Sequence, residues 1–348
     1  MFNKFYDALS NDIGIDLGTA NTLVYLRGHG VVITEPSVVA VNQKTGRIVA
    51  VGTEAKQMLG RTPGHIKAVR PLVDGVISDF EVTEEMLAYL ISKTEKMSKK
   101  FARPRVVVGV PTGITNVEIR AVYDAAKSAG AREVHIIEEP MAAAIGIRLP
   151  IKEPIGSMIV DIGGGTTDIA VISLGGIVRS KSLKIAGDKL NADIISYLRD
   201  EFKLLIGEKT AESIKIAIGS VLPGNAMEAE VRGRDLVTGL PREVVVTDSD
   251  IREAIGASVA NLVDGIKEVL ETTPPEILAD IMNRGIVLVG GGALIQGLGT
   301  LLQNMLKIPV YIADDPLSAV ARGTGMVFED LEYFKDVLLN AQNELPPR

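Results

Sequence analysis

The stretch "VDIGGGTTDIA", residues 160–170, decides how this chain folds. An apolar run ends on an acid, three glycines and two threonines follow, and a second acid opens another apolar run. Three consecutive glycines weaken a packed strand, because glycine loses the most backbone entropy on ordering and buries no side chain. The segment therefore reads as strand, tight turn, strand, with bare backbone wanted at the turn. The same form stands earlier: "IDLGTANTLVYL", residues 15–26, also runs apolar strand, Asp, one apolar residue, Gly, small-residue turn, strand. Two hairpins of one design imply two similar halves. Each turn presents successive backbone N–H groups, a concave anion nest that needs no positive side chain. A phosphate chain suits both turns, and Asp16 and Asp161 would flank a Mg²⁺ ion beside it, held through water. One Asp-x-Gly hairpin alone is an ordinary turn; two matched copies point to a site.

At 348 residues the chain exceeds the size at which one hydrophobic core stops growing, so two lobes are expected. A hydrophobic content of 46% with 23% charge describes a well-packed globular protein. The absence of cysteine excludes disulfides and thiolate metal sites, and His29, His65 and His135 sit at no metal-ligand spacing and read as surface or loop residues. A net charge of −7, with no Lys/Arg run interleaved with aromatics, argues against nucleic acid as partner. No apolar run reaches the roughly 18 residues of a spanning helix. No secretory leader opens the chain, so a cytoplasmic location is expected.

Short β-branched runs at 106–111, 134–137, 157–162 and 285–292 alternate with helical patterns at 115–130 and 248–271, where apolar residues recur every three or four positions. That alternation defines an α/β fold with helices covering the sheet faces. The polar stretch "EAEVRGRDLVTG", residues 228–239, lacks periodicity and reads as part of a loop-rich insertion, and "RTPGH" at 61–65 marks another break. A third glycine cluster, "GGGALIQGL" at 290–298, follows the last strand and is expected to open a helix, where missing side chains admit a flat ligand or its phosphates. The P-loop pattern is absent, and no G-x-G-x-x-G follows the first strand, so phosphates would be held in another way.

In order, "DLGTAN", "DIGGGTTD", "IEEPMAAAIG" at 137–146 and "LVGGGALI" at 288–295 resemble the motifs of the actin, Hsp70 and sugar-kinase superfamily. More narrowly, these stretches together with "EPSVVAV", "VRPLVDGVISDFE", "GVPTGITNVE" and "ETTPPEILADIMNRGIVLVGGGAL" are similar to the MreB family of bacterial actin homologues, from about residue 10 to about residue 330. The resemblance implies an actin-like, ribonuclease H-like duplicated fold with a central nucleotide cleft. It divides the chain into an amphipathic segment, 1–10; lobe I, 11–145, with a smaller subdomain about 33–75; lobe II, 146–315, with a smaller subdomain about 186–246; a return to lobe I, 316–336; and a tail, 337–348.

Carried over position by position, the resemblance implies a first phosphate loop of Asp16, Gly18, Thr19, Ala20 and Asn21, and a second of Gly163, Gly164, Gly165, Thr166 and Thr167. It brings Gly187, Asp188, Glu212 and Lys215 to ribose and base, opposite Gly290, Gly291, Gly292 and Ala293. ATP and Mg²⁺ are the implied cofactors. Glu139 would orient the attacking water, with Thr166 helping to hold it; phosphoryl transfer needs positioning and electrostatics more than covalent help. An acid before Pro140 also suits a helix N-terminus for structural reasons alone. At residue 168 this chain carries Asp, where many members of the family carry Glu.

In "MFNKFYDALS", Phe2, Phe5, Tyr6 and Leu9 fall on one helical stripe, which reads as a membrane-binding or docked terminal helix. The resemblance adds Phe101 as a second apolar anchor, beside Lys99, Lys100, Arg103 and Arg105, and implies the inner leaflet of the cytoplasmic membrane as a partner. It further implies self-association into filaments, slow ATP hydrolysis coupled to polymerisation, and membrane proteins of the wall-elongation machinery as partners in keeping a rod cell shape. An Hsp70-like ATPase and a small-molecule kinase are the alternatives on the same fold. The first would need a separate peptide-binding domain and the second an acceptor pocket and base.

Overall fold

The structure, a computed structural model, describes residues 10–98, 102–224 and 226–339. It begins with three antiparallel strands, β1 (Ser10–Leu17), β2 (Asn21–Leu26) and β3 (Gly30–Pro36). A small sheet of β4 (Val39–Asn42), β5 (Ile48–Val51) and β6 (Ile66–Val69) carries helix α1 (Thr53–Met58). A two-stranded hairpin, β7 (Leu72–Val73) and β8 (Val76–Ile77), comes next, then α2 (Phe80–Ser98). Strand β9 (Ala102–Val110), helix α3 (Asn116–Ser128) and strand β10 (Glu133–Glu138) complete a five-stranded sheet in the order β10-β9-β1-β2-β3, with β9 and β10 added in parallel.

After α4 (Glu139–Gly146) the plan repeats. Strands β11 (Ser157–Ile162), β12 (Thr167–Ser173) and β13 (Gly176–Leu183) run antiparallel. Helix α5 (Gly187–Glu201), strand β14 (Leu204–Leu205), helix α6 (Glu208–Ile218) and strands β15 (Glu228–Asp235) and β16 (Pro241–Thr247) build a second small sheet. Helices α7 (Asp248–Glu271) and α8 (Pro275–Arg284) lead back to β17 (Ile286–Val289), α9 (Leu298–Leu306) and β18 (Val310–Ile312). The second large sheet is ordered β18-β17-β11-β12-β13, strand for strand the pattern of the first. The repetition read from two hairpins thus extends to ten strands.

The central strands are buried on both faces, and their alternate residues enter different cores. In β11, Met158, Val160 and Ile162 join the core covered by α5 to α9, whereas Ile159 faces the other way. In β9, Val106, Val108 and Val110 pack under α2 and α3, and Val107 faces the other way. Val107 and Ile159 meet in a third core made with α4 and with α10 (Ala319–Met326), so these two helices lie between the sheets. A continuous apolar run is what such two-sided burial demands. Helices α4 and α10 cross closely: a Cβ on Gly323 would lie 1.7 Å from the Ala142 carbonyl oxygen.

The two long helical patterns begin where local chemistry sets them. Thr115 and Thr247 cap α3 and α7, each in a reciprocal box with Glu118 or Asp250 three residues on. Three expectations are corrected. Residues 228–235 form strand β15, not a loop: Glu228, Glu230, Arg232 and Arg234 face out and Ala229, Val231, Gly233 and Asp235 face in, so the period of two is present but its inner face holds only one large apolar residue. The glycines at 290–292 open a single 3₁₀ turn, Gly291–Leu294, and the helix starts only at Leu298. His135 sits within β10, half-buried, beside Glu133 and edge-on to Phe328. Among the described residues no helix is long and apolar enough to cross a membrane. Phe2, Phe5, Tyr6, Leu9 and Phe101 lie outside the described residues.

Candidate functional site

The two hairpin turns, one from each sheet, meet face to face. A Cβ on Gly164 would stand 2.5 Å from the Ala20 Cβ, and one on Gly165 would stand 2.5 Å from the Thr19 Oγ1. Real Cβ atoms do not approach so closely, so these two glycines are required by the opposing turn itself. Gly18 is held within its own turn, its Cβ direction closed by the Asn21 carbonyl at 2.6 Å, while its carbonyl accepts the Ser37 hydroxyl at 2.5 Å. Gly163 closes the second turn by donating its N–H to the Thr166 carbonyl at 2.9 Å.

Asp16 and Asp161 occupy matching positions. Asp16 pairs with Leu23 across the hairpin and with Gly109 on the parallel neighbour; Asp161 pairs with Asp168 and with Val289. Glu139, nine-tenths buried, is the first residue of α4, with Pro140 following and Glu138 as N-cap. Asp161, Asp168 and Glu139, all buried, and the half-buried Asp16 form one acidic group. Burial pushes the Asp16 carboxyl up to about 7. Burial, with the like charges of Asp16 and Asp168, raises Asp161 well above the usual range; burial, with Asp168, Asp16 and Asp161, does the same to Glu139. Asp168 is raised by burial too, although it accepts the Thr112 N–H at 2.9 Å and the hydroxyls of Thr166 and Ser182. Among the described residues none of these four acids makes an ion pair. Also among the described residues, no three His, Cys, Asp or Glu side chains are grouped to cage a metal directly.

The expected base and ribose residues border the second turn. The Gly187 and Asp188 N–H groups donate to the Gly163 and Gly164 carbonyls at 3.2 and 2.8 Å. Lys215 Nζ donates to the Gly187 carbonyl at 3.0 Å and to Glu212 at 2.7 Å, and Asn191 donates to the same Glu212 oxygen at 2.6 Å. On the far side, a Cβ on Gly290 would lie 2.4 Å from Asp161 Oδ1, and one on Gly292 would lie 2.1 Å from Ile162 Cγ2. These glycines allow the strand-to-helix turn to pack on the end of β11; Gly291 alone of the three is exposed. Two expected contacts point elsewhere. Ala293 is fully buried in the lobe II core, and the Thr167 hydroxyl, also fully buried, donates to the Ile185 carbonyl at 2.6 Å.

The site also contains residues that motif reading did not single out. The β7–β8 turn, Asp74-Gly75, has both residues at positive φ, 50° and 78°, and Gly75 donates its N–H to Thr19 Oγ1 at 2.9 Å. A Cβ on Gly75 would meet Pro111 Cγ at 2.4 Å and Thr166 Cγ2 at 3.3 Å, so this tip is wedged against both halves of the site. Asp-Gly between apolar pairs signals a two-residue hairpin, but its destination is tertiary. Thr112, whose backbone is held by Asp168, has a buried hydroxyl without a hydrogen-bond partner.

Two five-stranded sheets of one order, joined through facing glycine hairpins over a buried acidic group, define the duplicated two-lobe fold of actin-like proteins. A chain of the MamK double helical filament shares that fold, with a TM-score of 0.79 at 24% identity over 92% of this chain and 99% of that one. The model of the MreB/Mbl protein family matches residues 10–336, and the chain belongs to that family. It is 52% identical to the cell shape-determining protein Mbl of Bacillus cereus, over 93% of this chain and 97% of the relative. It is also 52% identical to the cell shape-determining protein MreB of Escherichia coli K12, over 95% and 97%. The crystal structure of MreB5 of Spiroplasma citri bound to ADP superposes with a TM-score of 0.88 at 41% identity, covering 93% of this chain and 97% of that one.

Proposed function

We propose that the chain is an ATP-binding, filament-forming protein of the MreB type that takes part in determining cell shape. The observation that carries the nucleotide reading is the meeting of the two glycine turns beside carboxylates raised by burial that, among the described residues, make no ion pair. A polyphosphate accepted by the turn N–H groups would complete the nest, and a hydrated Mg²⁺ between Asp16 and Asp161 would favour the ionised form that burial penalises in both acids. The donor set fits that group: Asp16 and Asp161 are hard oxygen donors close enough for the charge of one to raise the other, and among the described residues no three side chains form a direct cage. Asp16 and Asp161 would hold the metal through water, and it would supply positive charge against the negative charge developing on the phosphate.

In this reading Glu139 accepts a proton from the attacking water and aims it at the terminal phosphate. Burial, with the like charges of Asp168, Asp16 and Asp161, makes its carboxylate a better base than an exposed one. Thr166, bonded to Asp168, orients the same water. Gly187, Asp188, Glu212 and Lys215 line the ribose side, and Gly290 and Gly291 the opposite wall. Weak general-base help accords with slow hydrolysis coupled to polymerisation. The lobe boundaries proposed for the cleft are 11–145 and 146–315, closed by the return of 316–336 onto lobe I.

Assembly is supported by family membership and by the double helical filament of the similar MamK. Residues 1–10 and Phe101 are proposed as anchors on the inner leaflet, near partners of the wall-elongation machinery. The test is co-sedimentation with liposomes in MgATP, with electron microscopy of the pellet, for the full chain beside one lacking residues 1–10. Filaments on lipid that detach but persist after truncation are expected. Monomers under every nucleotide and lipid condition would refute the assembly reading, and phosphoryl transfer to a small hydroxylated metabolite would favour the kinase.

A further inference from the structure

We propose that Arg70 is the centre of an ionic latch across the mouth of the cleft, and that this latch sets how fast nucleotide leaves without taking part in its hydrolysis. The proposal rests on the nucleotide reading of the cleft. Arg70 follows strand β6 of the first half of the chain, yet its guanidinium donates to Asp188 at 2.8 Å and to Glu208, both in the second half. Each acid lies in the first turn of its helix, α5 or α6, where the helix dipole favours negative charge. One planar, forked cation therefore ties two helix starts at once, a geometry that a lysine point charge cannot reproduce.

The surrounding charges are complementary in both directions. Lys56, on α1, lies near enough to help Lys215 and Asn191 hold the Glu212 carboxyl below its usual range against burial. With the polarity reversed, Asp74 pairs at 3.1 Å with Lys184, which follows β13. Both ends of the latch are also attached to the glycine turns: Asp188 donates its N–H to Gly164, and Gly75, beside Asp74, donates to Thr19. Separating the end of β6 and the β7–β8 turn of lobe I from α5, α6 and the end of β13 must break these pairs, and a nucleotide seated between the turns leaves by that route.

The latch is built to be weak. Arg70 is 28% exposed and Glu208 48%, so water and salt screen the pairs and each adds little to global stability. Small contributions to a closed state translate into rates, not into folding.

The experiment is stopped-flow release of a fluorescent ATP analogue from the full chain with Mg²⁺, below its assembly concentration. Wild type, Arg70→Ala, Arg70→Glu and the charge swap Arg70→Glu with Glu208→Arg are compared. Release is expected to be about 3–10-fold faster in Arg70→Ala, faster again in Arg70→Glu, and partly restored by the swap. Raising salt from about 0.05 to about 0.5 M is expected to speed release from wild type and barely change Arg70→Ala. Single-turnover hydrolysis is expected to stay within about twofold of wild type.

Because the chain has no cysteine, cysteines introduced at the exposed Lys67 and Lys209 would carry the only two spin labels. Their distance distribution without nucleotide is expected to lengthen in Arg70→Ala. Equal release rates and equal salt responses for wild type and Arg70→Ala would overturn the latch while leaving the nucleotide site standing. A wild type that binds no analogue would overturn both as a nucleotide device, and the label distances would then show only whether the ionic seam holds the lobes.

Discussion

The two glycine hairpins share a register but not a composition, and the difference is instructive. The first turn has Gly18 followed by Thr19 and Ala20; the second has Gly163, Gly164 and Gly165 followed by Thr166. If bare backbone served only to approach an anion, both turns would need it equally. Instead Gly164 and Gly165 lie against the side chains of Ala20 and Thr19, so one turn supplies side chains and the other supplies the room for them. The asymmetry fixes how the halves mate. Thr19 uses the contact further, accepting the Gly75 N–H while keeping its own hydroxyl proton free to donate.

Filling that room should do the most damage. Gly164→Val is expected to cost about 3 kcal/mol and to abolish nucleotide binding, read by urea unfolding and equilibrium titration. The milder Gly164→Ala should be partly rescued by Ala20→Gly, with a coupling of about 1 kcal/mol. Absence of any coupling would show that the turns do not depend on each other.

Removing the base tests chemistry without touching the mating surface. Glu139→Gln is expected to lower single-turnover hydrolysis by about 10²-fold with nucleotide affinity retained. A loss of affinity without a loss of rate would reassign Glu139 to the helix start.

The acidic group should reveal its cost through pH. The Asp16 carboxyl goes from an ordinary 3.8 to about 7 on folding, so the folded state holds this proton more tightly. Stability without ligand therefore falls as pH rises between those values, and the ionised acid is a burden at pH 8. Asp16→Asn is expected to stabilise the ligand-free protein by about 1–3 kcal/mol at pH 8, with less gain at pH 5, while losing Mg²⁺-dependent binding. Thermal unfolding at the two pH values checks this, and an equal gain at both would refute the burial argument.

The smallest effect belongs to the third participant in the contact. Gly75→Ala puts a Cβ against Pro111 at a φ of 78°, and is expected to cost about 1 kcal/mol and to weaken nucleotide binding. Unchanged binding would show that the wedged tip is only a brace.

Much of this was legible in the residues. Helix α7 begins and ends where its period does, and its Thr247 cap is a local sequence signal. The doubly buried β11 reads as an unbroken apolar run, and the Asp at the end of each first strand marks the site because the two copies match. Strand β15 was passed over because the inner face of its alternation is Ala229, Val231, Gly233 and Asp235, of which only Val231 is a large apolar residue, so its period of two is faint in hydrophobicity. Gly290 and Gly292 have a second reason to be bare that the sequence did not show: a glycine that admits a ligand and a glycine that admits a neighbouring strand look the same in sequence. Ala293 and Thr167 stand within the glycine motifs, yet their side chains turn into the protein.

The sequence by itself determined the α/β class, the duplication, the two Asp-ended hairpins and the family, because each depends on local periodicity or on residue order. Only the tertiary structure decided that the hairpins face one another, that an Asp-Gly turn from a distant hairpin is wedged between them, and that Arg70 reaches across to Asp188 and Glu208. Those partners stand 118 and 138 residues from Arg70. Across such separations the pairing is set by how two independently packed sheets dock, and no short-range pattern in a chain encodes that docking.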